Sequence, residues 1–318
     1  MVHLSTQIFY LESETKIVLE DNIEASKNNS KFNPYTELLK LRLSGLVVFS
    51  AVISYLTVSK NYNWFSLLTL MIGGIFVTGS SNGFNQIIER NLDKLMKRTM
   101  NRPMPTNRLS VNESIIFCSI LLILGTVILW IFNNPMAAAL GLLSAILYTL
   151  FYTPLKRITP LSVFVGAIPG AMPPLIGAVA ATEGFGEITY EAWLLFAIQF
   201  MWQFPHFWAI AWVSHDDYLK AGFFMLPSHS GRTKASAFQI LVYSLFLIPI
   251  SILPCVFVFN SWVTGLIIFI TGIWFFYLAV KLFRHCSIEA AKKLMFASFI
   301  YLPVVQILIL IGKWIQKT

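Results

Sequence analysis

The sequence contains 318 residues, of which 56% are hydrophobic and 12% are charged, and its formal net charge is +8 at pH 7. A soluble domain typically has about 25% charged residues, so this composition excludes an ordinary soluble protein and indicates an integral membrane protein. The positive charge does not indicate a nucleic-acid-binding protein, because the sequence contains no aromatic or basic module that would read bases.

The apolar residues form runs that are each about as long as a helix that crosses a bilayer, which takes roughly 20 residues. In chain order, nine spans are predicted at 38–59, 64–88, 113–133, 135–153, 161–181, 191–213, 237–258, 262–284 and 294–313. The sequence therefore predicts an all-α integral membrane protein with nine transmembrane helices. The fifth span contains Pro169, Pro173 and Pro174 and is expected to be a poor uniform helix. Such backbone can line a cavity, or its small residues can allow close helix packing, and both interpretations stay open.

Basic residues are distributed unevenly between the loops on the two sides of these spans. The loops on the side of residue 1 hold most of them, whereas the opposite side holds Lys60, with Lys313 and Lys317 on the tail. Basic residues favour the cytoplasmic side, so we predict a multi-pass protein of the inner (cytoplasmic) membrane with a cytoplasmic N-terminus. Residues 1–34 are predicted to form a disordered cytoplasmic tail, and residues 35–318 are predicted to form one membrane domain of nine helices.

The most informative polar cluster lies at the end of the second span. Asn85, Glu89 and Asp93 are spaced four residues apart, which on a helix aligns their side chains along one face. Mg²⁺ binds carboxylate oxygens and usually keeps a phosphate as well, and the Arg and Lys residues just downstream could hold that phosphate. We therefore hypothesise a metal–diphosphate site at a membrane surface. The alternative is a helix end with an ordinary Asp93–Lys97 ion pair.

A second acidic cluster, Asp216 and Asp217, ends the sixth span on the same side of the membrane. Because adjacent residues on a helix point in different directions, we expect one of the two to face the site. The alternative is a polar helix end with Gly222 as the C-terminal cap. Two acidic clusters on one side could bind metal ions between facing helices, as sites in helical bundles often do.

Two basic residues end the fourth span. Tyr152 and Lys156 are one helical turn apart by spacing, although Pro154 indicates that the helix ends there. Lys156 would place a point charge beside a phosphate. The alternative is that Lys156 and Arg157 only anchor the helix on the cytoplasmic side.

His206 lies about ten residues inside the sixth span, which places it near the middle of the membrane if the span is a regular helix. Its neighbours in sequence include Trp202, Phe207 and Trp208. A buried histidine is often only a hydrogen-bonded packing residue. The aromatic surroundings also suit a large flat ligand, and neutral imidazole suits iron, so both roles stay open.

Taken together, these motifs resemble the signatures of the UbiA-type intramembrane prenyltransferases. The segments Asn85–Asp93 and Met96–Pro103 resemble the first signature, and the ending of the second segment is similar to that of the protohaem IX farnesyltransferase branch. Tyr152–Lys156 resembles a later element, and Pro205–Trp208 and Asp217–Gly222 resemble the last one. The resemblance covers about residues 35–315. It departs from the family at Glu89, where many members carry Asp. It also departs in the second acidic cluster, where relatives often carry two Asp residues four positions apart and this sequence has Asp216 and Asp217 followed by Lys220.

The resemblance implies a bundle around a central cavity that opens near the cytoplasmic face. It implies that farnesyl diphosphate is ionised at a Mg²⁺ site and that the farnesyl group is added to a vinyl group of protohaem IX (haem b). The implied roles are catalysis by Asn85, Glu89, Asp93, Lys156, Asp216 and Asp217; metal binding by Asn85, Glu89, Asp93 and one of Asp216 and Asp217; diphosphate binding by Arg98, Arg102, Lys156 and Arg157; and haem binding by His206, Trp202 and Trp208.

The product would serve the assembly of terminal oxidases, with the downstream haem A synthase as a partner and the lipid bilayer as the surroundings. One rival hypothesis is a prenyltransferase that acts on a quinone-precursor aromatic acid. His206 and the segment Arg98–Pro103 argue against this hypothesis. Another is a transporter gated by the charged clusters. The acids gather at one surface instead of the membrane midplane, and no clear inverted repeat is present, which speaks against a transporter.

Overall fold

The computed structural model describes residues 33–228, 230–259 and 261–317, and the regular structure in this part of the chain is helical throughout. The helices are α1 (Pro34–Leu39), α2 (Leu41–Val58), α3 (Trp64–Asp93), α4 (Val111–Phe132), α5 (Pro135–Ile146), α6 (Ser162–Ala180), α7 (Tyr190–Val213), α8 (His215–Lys220), α9 (Lys234–Phe257), α10 (Trp262–His285) and α11 (Ile288–Lys317). Helix α5 continues through a π-helical turn, Leu147–Tyr152, and a short α-helical turn, Thr153–Leu155. Residues 1–32 of the predicted tail lie outside the described residues.

The prediction of an all-α membrane protein is confirmed. Within the described ranges, eight helices are long and apolar enough to cross a membrane, and they match the predicted spans other than the sixth. The sixth span, predicted at 191–213, corresponds to α7, which has 24 residues but is less apolar. Gln199, Gln203 and His206 lower the mean hydropathy of α7, and all three are buried.

Side-chain caps fix where several helices begin. Asn63 accepts hydrogen bonds from the N–H groups of Phe65 and Ser66 at the start of α3. Ser110 and Glu113 form a capping box at the start of α4. Asn134 caps α5, where Pro135 occupies a position that needs no hydrogen-bond donor. These local signals set the short turns between neighbouring helices.

The prolines of the fifth span are accommodated within α6, which is continuous from Ser162 to Ala180, so the expectation of a poor uniform helix was wrong in that respect. A proline lacks the N–H that would bond the carbonyl four residues earlier. Pro173 therefore frees the carbonyl of Pro169, which accepts a hydrogen bond from Ser144 Oγ at 3.2 Å. Pro174 frees the carbonyl of Gly170, which accepts one from Gln199 Nε2 at 2.8 Å. Neighbouring helices thus satisfy the backbone of α6 at membrane depth.

The long helices pack as a bundle in which α2 contacts helices from both ends of the chain. Helix α2 packs against α3, α6 and α11, and α7 packs against α6, α9 and α11. Helix α3 is longer than the predicted span at 64–88, because it continues to Asp93. That extension brings the first polar cluster into the bundle as part of a regular helix.

Candidate active site

A cavity of about 500 Å³ lies inside the bundle, between helices α2, α3, α6, α7 and α11 and the end of α5. One part of its wall carries six charged side chains: Lys40, Glu89, Asp93, Arg98, Arg102 and Lys156. Elsewhere the wall is mostly apolar, and its aromatic residues include Trp202, Phe207 and Phe299. The cavity therefore offers one charged region and one aromatic region to the same bound molecules.

Helix α3 places the first polar cluster on the cavity wall, as its four-residue spacing predicted. The exposed fractions of Asn85, Glu89 and Asp93 are 2%, 4% and 0%, and all three residues line the cavity. Asn85 Nδ2 donates to Thr153 Oγ1 at 3.1 Å, and the Thr153 hydroxyl in turn donates to the carbonyl of Tyr148 at 2.9 Å. This chain of bonds uses the amide nitrogen of Asn85 and leaves its oxygen for another partner.

The oxygen donors of this cluster fit a hard divalent cation. Two carboxylates and an amide oxygen on successive turns of α3 are ligand types that Mg²⁺ binds. In the described part of the chain, no group of three or more His, Cys, Asp and Glu side chains converges as a metal site. Because Mg²⁺ usually keeps several waters and a phosphate as ligands, the two carboxylates and the amide oxygen could hold it without a third acidic side chain.

Each buried acid is paired with a base that the sequence analysis assigned to the diphosphate. Lys156 Nζ lies 2.8 Å from Glu89 Oε1, and Arg102 lies 2.9 Å from Asp93 Oδ2. Arg102 also reaches the second oxygen of Asp93 at 3.1 Å, so this pair replaces the Asp93–Lys97 pair considered from the spacing alone. A single buried charge is costly, and pairing each acid with a base offsets part of that cost in this low-dielectric site.

Aromatic residues also contact two of the bases on the cavity wall, Lys156 and Arg98. Lys156 Nζ lies 4.6 Å from the ring centre of Tyr152 and 5.7 Å from that of Phe223. Arg98 donates to the hydroxyl of Tyr218 at 3.0 Å. Cation–π contacts of this kind orient a cation without neutralising its charge. Arg157, also predicted to bind diphosphate, is exposed and does not line the cavity.

The second acidic cluster lies beside the cavity instead of on its wall. Asp216 is paired with Arg232, and its side chain is 72% exposed. Asp217 accepts from Lys220 Nζ at 3.1 Å, and this hydrogen bond, together with the N–H groups of Lys97 and Arg98, lowers the pKa of Asp217. Asp217 therefore contacts the segment that follows α3, while Tyr218, its neighbour, lines the cavity.

His206 lines the aromatic region of the cavity and is only 7% exposed. Its ring stacks on Trp202, with 4.2 Å between ring centres and 17° between ring planes. Phe299 contacts the imidazole edge to face, with 5.0 Å between ring centres. Trp208, also predicted to contact haem, is buried against Phe204 and Tyr243 and does not line the cavity.

The sequence analysis missed three kinds of residue at this site. Lys40, between α1 and α2, lines the cavity, and burial lowers its pKa to about 7, with Arg102 and Lys156 adding to the effect. Gln199 and Gln203 line the cavity from α7, and Ser298 bonds to His206 from α11. A lysine at the start of an apolar span and two glutamines within one are visible in the sequence. No sequence signal distinguishes Ser298 from other serines.

The chain is similar to known proteins both in sequence and in fold. Residues 46–302 match the model of the UbiA prenyltransferase family. The Protoheme IX farnesyltransferase of Cytophaga hutchinsonii is 46% identical over 285 residues, which cover 89% of this chain and 99% of the relative. A solved digeranylgeranylglyceryl phosphate synthase aligns with a TM-score of 0.71 and 22% identity, over 88% of this chain and 97% of that one. A UbiA homologue from Archaeoglobus fulgidus bound to GPP and Mg²⁺ aligns with a TM-score of 0.65 and 15% identity, over 87% of this chain and 99% of that one. At these identities, the two solved structures establish the shared fold.

Proposed function

The chain belongs to the UbiA prenyltransferase family, and we propose that it transfers a farnesyl group from farnesyl diphosphate to a vinyl group of protohaem IX, forming haem O. The relative at 46% identity carries the name of this activity and matches along nearly its whole length. The protein is a multi-pass membrane enzyme of the prenyltransferase class.

The observation that carries this proposal is that one cavity joins a charged region to an aromatic region with a histidine. The charged region contains the Glu89–Lys156 and Asp93–Arg102 pairs. The aromatic region presents His206 and Trp202. A diphosphate group suits the first region, and a flat iron-containing macrocycle suits the second.

Asn85, Glu89 and Asp93 would hold Mg²⁺, which a UbiA homologue from Archaeoglobus fulgidus binds together with GPP. The bound ion supplies positive charge to the oxygens of the leaving diphosphate. Asp217 would position the segment after α3, since the N–H groups of Lys97 and Arg98 lie against it. A direct role for Asp216 or Asp217 as a ligand of a second metal ion stays a prediction.

Lys156, Arg102, Arg98 and Lys40 would neutralise the diphosphate. Lys156 and Arg102 are paired with the carboxylates that would hold the metal, so these bases lie where a metal-bound diphosphate would be. Fixed positive charges in a buried site stabilise charge that develops on the leaving group. Arg157, being exposed, would act as a membrane-side anchor.

In the reaction, the bond between C1 of the farnesyl group and the diphosphate oxygen breaks, and diphosphate leaves with the electron pair. The electrons of the haem vinyl group then form a carbon–carbon bond to the allyl cation. Water adds to the resulting carbocation and releases a proton, which gives a hydroxyethylfarnesyl side chain. Tyr148, Trp202 and Phe207 line the cavity, where aromatic faces stabilise a cation and keep water away until the bond has formed.

The location and partners follow from the same proposal. We place the enzyme in the inner (cytoplasmic) membrane with a cytoplasmic N-terminus, because the loops beside the charged region hold most of the basic residues. The haem product is large and apolar, so we expect the haem A synthase to receive it within the bilayer.

The proposal is tested by expressing the protein in a bacterium that lacks its own farnesylated haem. We expect the extracted pigments to contain a haem whose mass is increased by one farnesyl group and one hydroxyl group. The His206→Ala variant serves as a control for the haem site and should accumulate much less of this pigment. If the membranes instead accumulate a prenylated aromatic acid and no farnesylated haem, the enzyme acts on a different acceptor.

Lys40 predicts a pH dependence of substrate binding. Because its pKa lies at about 7, Lys40 is charged below this pH and loses its charge as the pH rises. Binding of an anion raises the pKa of a nearby lysine, so binding is expected to take up a proton. A rise of about one unit in the pKa of Lys40 on binding corresponds to a tenfold difference in affinity between its charged and neutral forms. We therefore expect the affinity for farnesyl diphosphate to fall roughly fivefold between pH 7 and pH 8.5.

The Lys40→Arg variant provides the control, because arginine stays charged throughout this range. Diphosphate ionisation affects both proteins equally, so the difference between their pH profiles isolates the lysine. Titration by isothermal calorimetry in two buffers of different ionisation enthalpy would measure both affinity and proton uptake. If the affinities of the two proteins change with pH in the same way, Lys40 does not contribute to diphosphate binding.

A further inference from the structure

Ser298 on α11 bonds to both rings of the Trp202–His206 stack. Its hydroxyl oxygen lies 2.7 Å from His206 Nδ1, and its carbonyl accepts from Trp202 Nε1 at 2.9 Å. Ser298 is fully buried. One residue of α11 therefore fixes two neighbouring side chains of α7, and both of these side chains line the cavity.

The hydrogen bonds around Ser298 specify which nitrogen of His206 carries the proton. A serine hydroxyl has one proton to donate, and Ser298 Oγ lies 2.6 Å from the carbonyl of Met295, to which it donates. The same oxygen must then accept from His206, so the proton lies on Nδ1. The neutral ring consequently keeps a lone pair on Nε2.

Nε2 is the nitrogen that is left for a ligand. Among the described residues, it makes no hydrogen bond, while Nδ1 is bonded to Ser298. Neutral imidazole binds iron through such a lone pair. Metal-binding histidines commonly donate their other N–H to an oxygen, which fixes the ring orientation and makes the ligand nitrogen more basic.

We propose that Ser298 is a positioning residue that holds His206 as the Nδ1–H tautomer, with Nε2 available to the iron of the haem substrate. This inference rests on the proposed function, because it assumes that haem occupies the aromatic region. The contrasting interpretation is that Ser298 only satisfies a backbone carbonyl of its own helix, as helical serines often do. The two interpretations differ in what the loss of the hydroxyl does to bound haem.

The test loads the purified full-length protein with protohaem IX and compares the Ser298→Ala variant with the unmodified protein. Alanine removes the partner of His206 but keeps the carbonyl that holds Trp202. We expect haem affinity to fall about tenfold, which is the lower end of the effect of removing such a partner from a metal-binding histidine. We also expect the iron–histidine stretching band of the ferrous protein to move to lower frequency in resonance Raman spectra, and Ser298→Thr to restore it.

Ser251→Ala is the matched control. Ser251 is also a fully buried serine bonded to an aromatic residue, since its hydroxyl accepts from Tyr301 at 3.0 Å. Neither residue lines the cavity, so this variant should leave haem affinity and the band unchanged. Binding of farnesyl diphosphate, measured separately, should be equal in all variants, which shows that the charged region is intact.

Two outcomes would overturn the inference, and they separate it from the proposed function. If Ser298→Ala matches the unmodified protein in both affinity and band position while His206→Ala loses the band, Ser298 is a packing residue and the haem site stands. If His206→Ala keeps the iron–histidine band, His206 is not the ligand. In that case this inference and the assignment of His206 to the haem both fail, while the proposed function is still decided by whether the extracted pigments contain farnesylated haem.

Discussion

Exchange of Glu89 for Gln together with Asp93 for Asn is expected to reduce farnesyl transfer at least about a thousandfold. Removing a single preorganised charge-stabilising group from an active site costs roughly a hundredfold to a thousandfold, and this change removes both carboxylates that would hold the metal. Both acids are buried on the cavity wall. Turnover is measured in detergent with farnesyl diphosphate and protohaem IX over a range of Mg²⁺ concentrations.

The amide side chains keep oxygen acceptors for Lys156 and Arg102, which limits the loss of stability that follows when a buried ion pair is broken. Glu37→Gln is the matched control, because Glu37 pairs with Arg108 at 2.6 Å outside the cavity. This control should keep turnover within about twofold, since the pair is only half-buried and neither of its residues lines the cavity. If the double variant keeps its Mg²⁺ dependence and a tenth or more of its turnover, the metal assignment is wrong.

The sequence was sufficient to predict most of the fold because apolar runs of membrane length have few alternatives in a bilayer. The seventh helix shows where hydropathy becomes a weak guide. Gln199 and Gln203 make α7 less apolar, yet each donates to a backbone carbonyl of α6. Polar residues that serve a neighbouring helix lower the apolar signal of the span that contains them. The apolar run predicted at 191–213 still located α7 to within one residue at its start.

The site was predictable along one helix but not between helices. The spacing of Asn85, Glu89 and Asp93 placed them on one face, and the extension of α3 to Asp93 keeps them there. The partner of Asp93 could not be derived from spacing, because Arg102 reaches it from the turn that follows the helix. Asp216 likewise pairs with Arg232, 16 residues away in sequence. Such pairs depend on where the chain returns after a loop, which local patterns do not specify.

Gly177→Ala is expected to lower the free energy of unfolding by about 3 kcal/mol or more. This is the upper end of the usual cost of overpacking, and we expect it here because the contact cannot relax. A Cβ atom on Gly177 would lie 1.9 Å from the carbonyl oxygen of Ala51 and 2.6 Å from its carbonyl carbon. These are backbone atoms, so the change forces α2 and α6 apart instead of turning a side chain. Small residues at such positions allow the close approach of membrane helices.

The consequence reaches the cavity, because Ala51 on α2 and Ile176 on α6 both line it. Gly45→Ala on α2 is the control, since a Cβ atom there meets nothing within 4 Å. We expect the Gly45 variant to elute and melt like the unmodified protein in size-exclusion and thermal unfolding measurements. The Gly177 variant should instead lose most of its folded fraction and, in the part that stays folded, its affinity for farnesyl diphosphate. Equal folded fractions for the two variants would mean that α2 and α6 do not approach as closely as described. The part of the cavity wall formed by Ala51 and Ile176 would then be wrong.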